Sequence, residues 1–111
     1  MDDSPELQGV EIEFAVDWYD GPLTGIAGYD GDAYWFEAET GWDPGADIRL
    51  LRLFPLTSEE LDEERRLHRL YESEANGKPV EEWPRVLRER DFSLPTKYGV
   101  REPVGWFAHG L

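Results

Sequence analysis

Glu64 and His68 are four residues apart in SEELDEERRLHRLYESE, a stretch whose charge and apolar spacing read as a helix. One carboxylate and one imidazole therefore stand a turn apart on one face, a spacing that suits an acid–base pair or two ligands of a metal site. Leu61, Leu67, Tyr71 and Ala75 share that face, so the pair points into the fold rather than to water. It offers one nitrogen and one carboxylate, and the other histidine, His109, is far along the chain. Glu64 and His68 are thus weak metal candidates, and they read first as a polar pair at the edge of the core, bonded to each other.

Other chemistry is thin. With no cysteine, disulfides, thiolate metal sites and cysteine nucleophiles are excluded. The serines, at 4, 58, 73 and 93, lie in no nucleophile-elbow context, and no glycine-rich loop leads into a helix to hold phosphates. Neighbouring carboxylates such as Glu59–Glu60, Glu63–Glu64 and Glu81–Glu82 point in different directions on a helix. No catalytic residue and no cofactor are expected.

What stands out is charge. Twenty-five acidic against eleven basic residues leave a net −14, which repels nucleic acid and anionic lipid and attracts basic proteins. From Val10 to Tyr19 apolar and polar residues alternate, which predicts a half-buried strand with Val10, Ile12, Phe14, Val16 and Trp18 inward and Glu11, Glu13 and Asp17 outward. Glu11 and Glu13 then stand ~6.7 Å apart, a separation resembling that of neighbouring phosphates. Asp30–Gly31 predicts a tight hairpin, because a type I′ turn needs positive φ at both central residues. Its register places Ile26 opposite Trp35, Gly25 opposite Phe36 and Ala27 opposite Tyr34, with Leu23, Ala27, Tyr34, Phe36 and Ala38 toward the core. The outer face then carries Glu11, Glu13, Asp17, Glu37 and Glu39 around Trp35. Trp42, in the loop TGWDPGAD, is a second candidate anchor. Alternatively, the C-terminal segment folds over this face and buries Trp35.

The remaining elements complete the frame. IRLLRLF, residues 48 to 54, suits a more buried fourth strand. Thr57 and Glu60 form a capping box, Leu56 and Leu61 a hydrophobic staple, and Asn76–Gly77 a stop, which predicts a helix from about 58 to 75. Trp83–Pro84 opens a short second helix with Val86 and Leu87 inward. The tail from Ser93 is expected to be extended and pinned by Tyr98, Val100, Val104, Trp106 and Phe107. The 111 residues suit one domain, with 1–8 a flexible acidic N-terminus. The expected class is α+β: a small, mostly antiparallel sheet of about four strands with one long helix packed on it, a short second helix and an extended C-terminal segment. Neither a signal peptide nor a membrane span is indicated, so a cytoplasmic location is expected.

These features favour a small acidic, non-enzymatic interaction protein. It would occlude a basic, nucleic-acid-binding surface of a partner protein in the manner of an inhibitor or immunity protein, without touching nucleic acid or membrane itself. The alternatives are a small metal-dependent or acid–base enzyme using Glu64 and His68, and an acidic soluble domain adapted to salt.

Overall fold

A computed structural model describes residues 5–18, 22–39, 48–89 and 98–110. Among the described residues five strands follow one another in space as in sequence: β1 (Glu11–Trp18), β2 (Pro22–Tyr29), β3 (Asp32–Ala38), β4 (Ile48–Phe54) and β5 (Gly105–Gly110). All pair antiparallel. Between β4 and β5 come α1 (Ser58–Glu74), a single 3₁₀ turn at 80–82 and α2 (Arg85–Arg88). The class is α+β, with a five-stranded sheet. The expected extended tail supplies the fifth strand, because Phe107 enters the core opposite Leu51.

The β2–β3 hairpin forms in the expected register, Ile26 opposite Trp35 and Ala27 opposite Tyr34. Asp30 and Gly31 both take positive φ, 51° and 85°, as a type I′ turn requires. At Gly25 any side chain would collide with the Phe14 carbonyl and the Phe36 ring. The turn expected at 20–22 and the loop holding Trp42 lie mostly or wholly outside the described residues.

β1 does not keep its expected alternation. Its pairing with β2 slips between Ile12 and Phe14, between Ala15 and Asp17, and again between Asp17 and Trp18, the first two by an extra residue on β1. Each of those two bulges reverses which side faces inward. Ile12 and Ala15 therefore pack in the inner cluster with Ala27, Phe36, Leu51, Leu53 and Phe107, while Phe14 and Val16 pack outside with Ile26, Trp35 and Phe54.

The N-terminal segment links the two edges of the sheet. Leu7 N donates to the Trp106 carbonyl at 2.8 Å and Trp106 N to the Pro5 carbonyl at 3.0 Å. After a bend at Gln8–Gly9 the same segment becomes β1 beside β2. Within the stretch expected as a flexible N-terminus, Glu6 bridges Trp106 in parallel and Leu7 is buried in the core. The sheet curls round its inner cluster, bringing Phe36 on β3 and Phe107 on β5 edge to face at 6.3 Å.

The first half of α1 covers the outer face, where Leu56 and Leu61 join the Trp35 cluster. Its capping box is formed: Glu60 N donates to Thr57 Oγ1 at 3.1 Å and Thr57 N to Glu60 Oε1 at 2.9 Å. Its second half packs through Leu67, Leu70, Tyr71 and Ala75 on Trp83 and Leu87. Val86, expected inward, is 45% exposed, since a four-residue helix with Leu87 buried turns its neighbour outward. No helix among the described residues is long and apolar enough to cross a membrane.

Candidate functional site

Each flank of α1 carries an arginine–carboxylate pair that ties the helix to another part of the chain. On one flank, Leu61 and Arg65 face β1 and the tip of the β2–β3 hairpin across a groove of about 490 Å³. Glu11, Glu13, Tyr29, Asp30 and Asp32 line its other walls. Arg65 is held by Glu13 through two bonds, Nε to Oε2 at 2.9 Å and Nη2 to Oε1 at 2.7 Å. Bonding from Arg65 holds the Glu13 carboxyl below its ordinary range, against a smaller opposing effect of burial. With that charge matched, Glu11, Asp30 and Asp32 dominate the potential of the groove. Nearby, burial and then the Asp32 and Asp30 charges push the Tyr34 hydroxyl above its usual range.

On the other flank, residues 98–101 form a strap over the outer face. Tyr98 packs its ring 5.0 Å from Trp35, and its hydroxyl donates to Glu64 Oε2 at 2.9 Å. Gly99 lies so close to the Glu37 carboxylate that a Cβ there would fall within it. Arg101 donates through Nη1 to Glu60 Oε1 at 2.7 Å and through Nη2 to Oε2 at 2.6 Å, and Nη1 also reaches the Pro55 carbonyl at 2.7 Å. The Arg101 guanidinium, with the Thr57 backbone N–H next in effect, brings Glu60 down to about 2.

The expected acidic face is therefore divided. Glu11 and Glu13 line the groove, and Asp17 is half-buried beside Thr24. Glu37, 4% exposed, lies beneath the strap, and Glu39 accepts from Arg52 Nη2 at 2.7 Å. Of the two readings of Trp35, exposed anchor or residue buried by the C-terminal segment, the structure has the second: it is 1% exposed, covered by α1 and by Tyr98 of the strap. Trp42 lies outside the described residues. Val100, expected to pin the tail, is 78% exposed, and Tyr98 and Arg101 on either side hold the segment.

Glu64 and His68 share a face but not a bond. Glu64, 3% exposed, takes the Tyr98 hydroxyl. His68 stacks on Phe14, rings 4.0 Å apart and 5° from parallel, and turns Nε2 toward Glu72 at 3.2 Å. Phe14 reaches His68 because the β1 bulge moves it outside. Among the described residues no three His, Cys, Asp or Glu side chains are grouped to hold a metal ion.

Asp30 and Asp32 were legible only as turn residues, and the sequence carries no signal joining them to Arg65 and Leu61, some thirty positions on. No family model, curated protein or solved structure matches the chain.

Proposed function

We propose that this is a non-enzymatic interaction protein that docks a basic surface of a partner protein against the groove between α1 and the β2–β3 hairpin. The observation that carries this reading is the makeup of the groove: four carboxylates, Glu11, Glu13, Asp30 and Asp32, meet one cation, Arg65, already engaged by Glu13. In a chain of net charge −14, such a wall draws cationic surfaces from a distance and repels phosphate backbones. Tyr29 and Leu61 give it apolar area against which a docked side chain can shed water. A nucleic-acid-binding protein fits this description of the partner, its basic groove being occluded by the carboxylates.

Proteins captured at low salt and released at high salt are to be purified and their association rates measured. Glu11→Gln with Asp30→Asn and Asp32→Asn should slow association roughly tenfold or more at low salt and have little effect at high salt. Equal rates for wild type and this variant at both salt concentrations would remove the groove as the docking surface.

A further inference from the structure

The strap meets the outer face as a ligand meets a receptor. Three of the four consecutive residues from Tyr98 to Arg101 meet three carboxylates from two other elements, each through different chemistry. Tyr98 is 2% exposed; its ring lies on Trp35 and its hydroxyl donates to Glu64. Gly99 is selected by the absence of a side chain, the Glu37 carboxylate occupying that space. Arg101 presents its planar fork to Glu60 in two parallel bonds, a geometry that lysine cannot reproduce. Val100, 78% exposed, is read by nothing. Fixed residue types at the first, second and fourth positions with a free third are the pattern of a short recognition motif.

We propose that the outer face between β3 and α1 is a recognition site for a Tyr-Gly-x-Arg turn, filled in cis by residues 98–101, and that a partner protein presenting the same turn takes its place. The charges match: carboxylates at Glu37, Glu60 and Glu64 receive a segment whose contacting side chains are a phenol and a guanidinium. The Arg101–Glu60 end lies at the rim, its side chains 34% and 26% exposed, so an incoming turn meets that pair before Tyr98 leaves its pocket. The cis turn then acts as a built-in competitor that sets a threshold for the partner.

The test uses the full chain and a labelled peptide, TKYGVREP, corresponding to residues 96–103, read by fluorescence anisotropy. A Tyr98→Ala, Arg101→Ala double variant should bind the peptide, and wild type should bind it at least tenfold more weakly. Tyr98→Ala, Gly99→Ala or Arg101→Ala within the peptide should each weaken binding at least tenfold, and Val100→Ser should leave it unchanged. Absence of binding to the folded double variant, or indifference to Gly99→Ala in the peptide, overturns the proposal. Hydrogen exchange of the wild type decides the matter even where the double variant does not fold. Amides of 99–102 exchanging ahead of those in β3 and β4 support a turn that opens by itself, whereas exchange only with global unfolding overturns it. The neutralised groove variant described above should leave peptide binding unaltered, so the two readings fail separately.

Discussion

The two flanks of α1 each carry a two-bond guanidinium–carboxylate pair, and the bond lengths nearly coincide: 2.9 and 2.7 Å for Arg65 with Glu13, 2.7 and 2.6 Å for Arg101 with Glu60. Their surroundings differ. Glu13 stands on a bulged strand beside an open groove, 39% exposed, with Arg65 37% exposed. Glu60 already accepts the Thr57 backbone N–H, and Arg101 also holds the Pro55 carbonyl and lies 5.3 Å over the Tyr98 ring. A pair whose atoms have other duties transmits its loss to a helix cap and a buried aromatic, and an isolated pair transmits it to water. Geometry does not set the worth of an ion pair; its connections do.

The largest expected effect lies beneath the strap. Trp35→Ala should destabilise the protein by about 3–5 kcal/mol, as truncation of a buried aromatic does, read as a fall in thermal midpoint. A midpoint within a degree or two of wild type would mean that Trp35 is not covered. Next, Gly99→Ala should cost about 1–3 kcal/mol, because the new methyl must displace the buried Glu37 carboxylate or lift the strap. No effect would show that the strap stands off the sheet.

Arg101→Gln should cost about 1 kcal/mol near neutral pH, and its pH dependence sharpens the comparison. Glu60 titrates at about 2 in the folded protein against an ordinary 4.5. The unfolded chain therefore takes up the proton first as pH falls, so the stability tied to Glu60 is complete above about 4.5 and is lost as pH falls through about 2. The difference in denaturation free energy between wild type and Arg101→Gln should shrink across that window; a difference independent of pH would sever Glu60 from the strap. Smallest of all, Arg65→Gln should change stability by less than ~0.5 kcal/mol. A loss equal to that of Arg101→Gln would erase the distinction between the flanks.

Much of the scaffold was legible because its signals are local. Asp30–Gly31 set the hairpin register, and Thr57 with Glu60 set the start of α1, within a few residues of the structure they produce. The β1 bulges were not legible, since the apolar alternation from Val10 to Trp18 reads the same with or without an inserted residue. One slip at Glu13 moved Phe14 to the outside, gave His68 a stacking partner and left Glu13 for Arg65. That the C-terminal segment covers Trp35 was one of two readings of the sequence, but its contacts were hidden for another reason: Tyr98, Gly99 and Arg101 acquire their roles only from Glu64, Glu37 and Glu60, roughly thirty-five to sixty positions away. Charge counted along the sequence likewise cannot reveal that Glu37 is enclosed and Glu11 open.

The pairing of Pro5 and Leu7 with Trp106 bears on how the chain reaches this structure. β1 to β4 are joined by sequential antiparallel pairings that form from nearby residues, but the inner cluster is sealed only when two segments about a hundred positions apart meet. The entropy of closing so long a loop grows only logarithmically with its length, so the seal weighs little on equilibrium stability and heavily on order of events. During synthesis the ribosome must deliver β5 before Phe36 and Leu51 are shielded, and until then the open sheet exposes an apolar surface to other nascent chains. Conservative truncations at Phe107 should accordingly speed unfolding with little change in the folding rate, while truncations in the β2–β3 hairpin should slow folding.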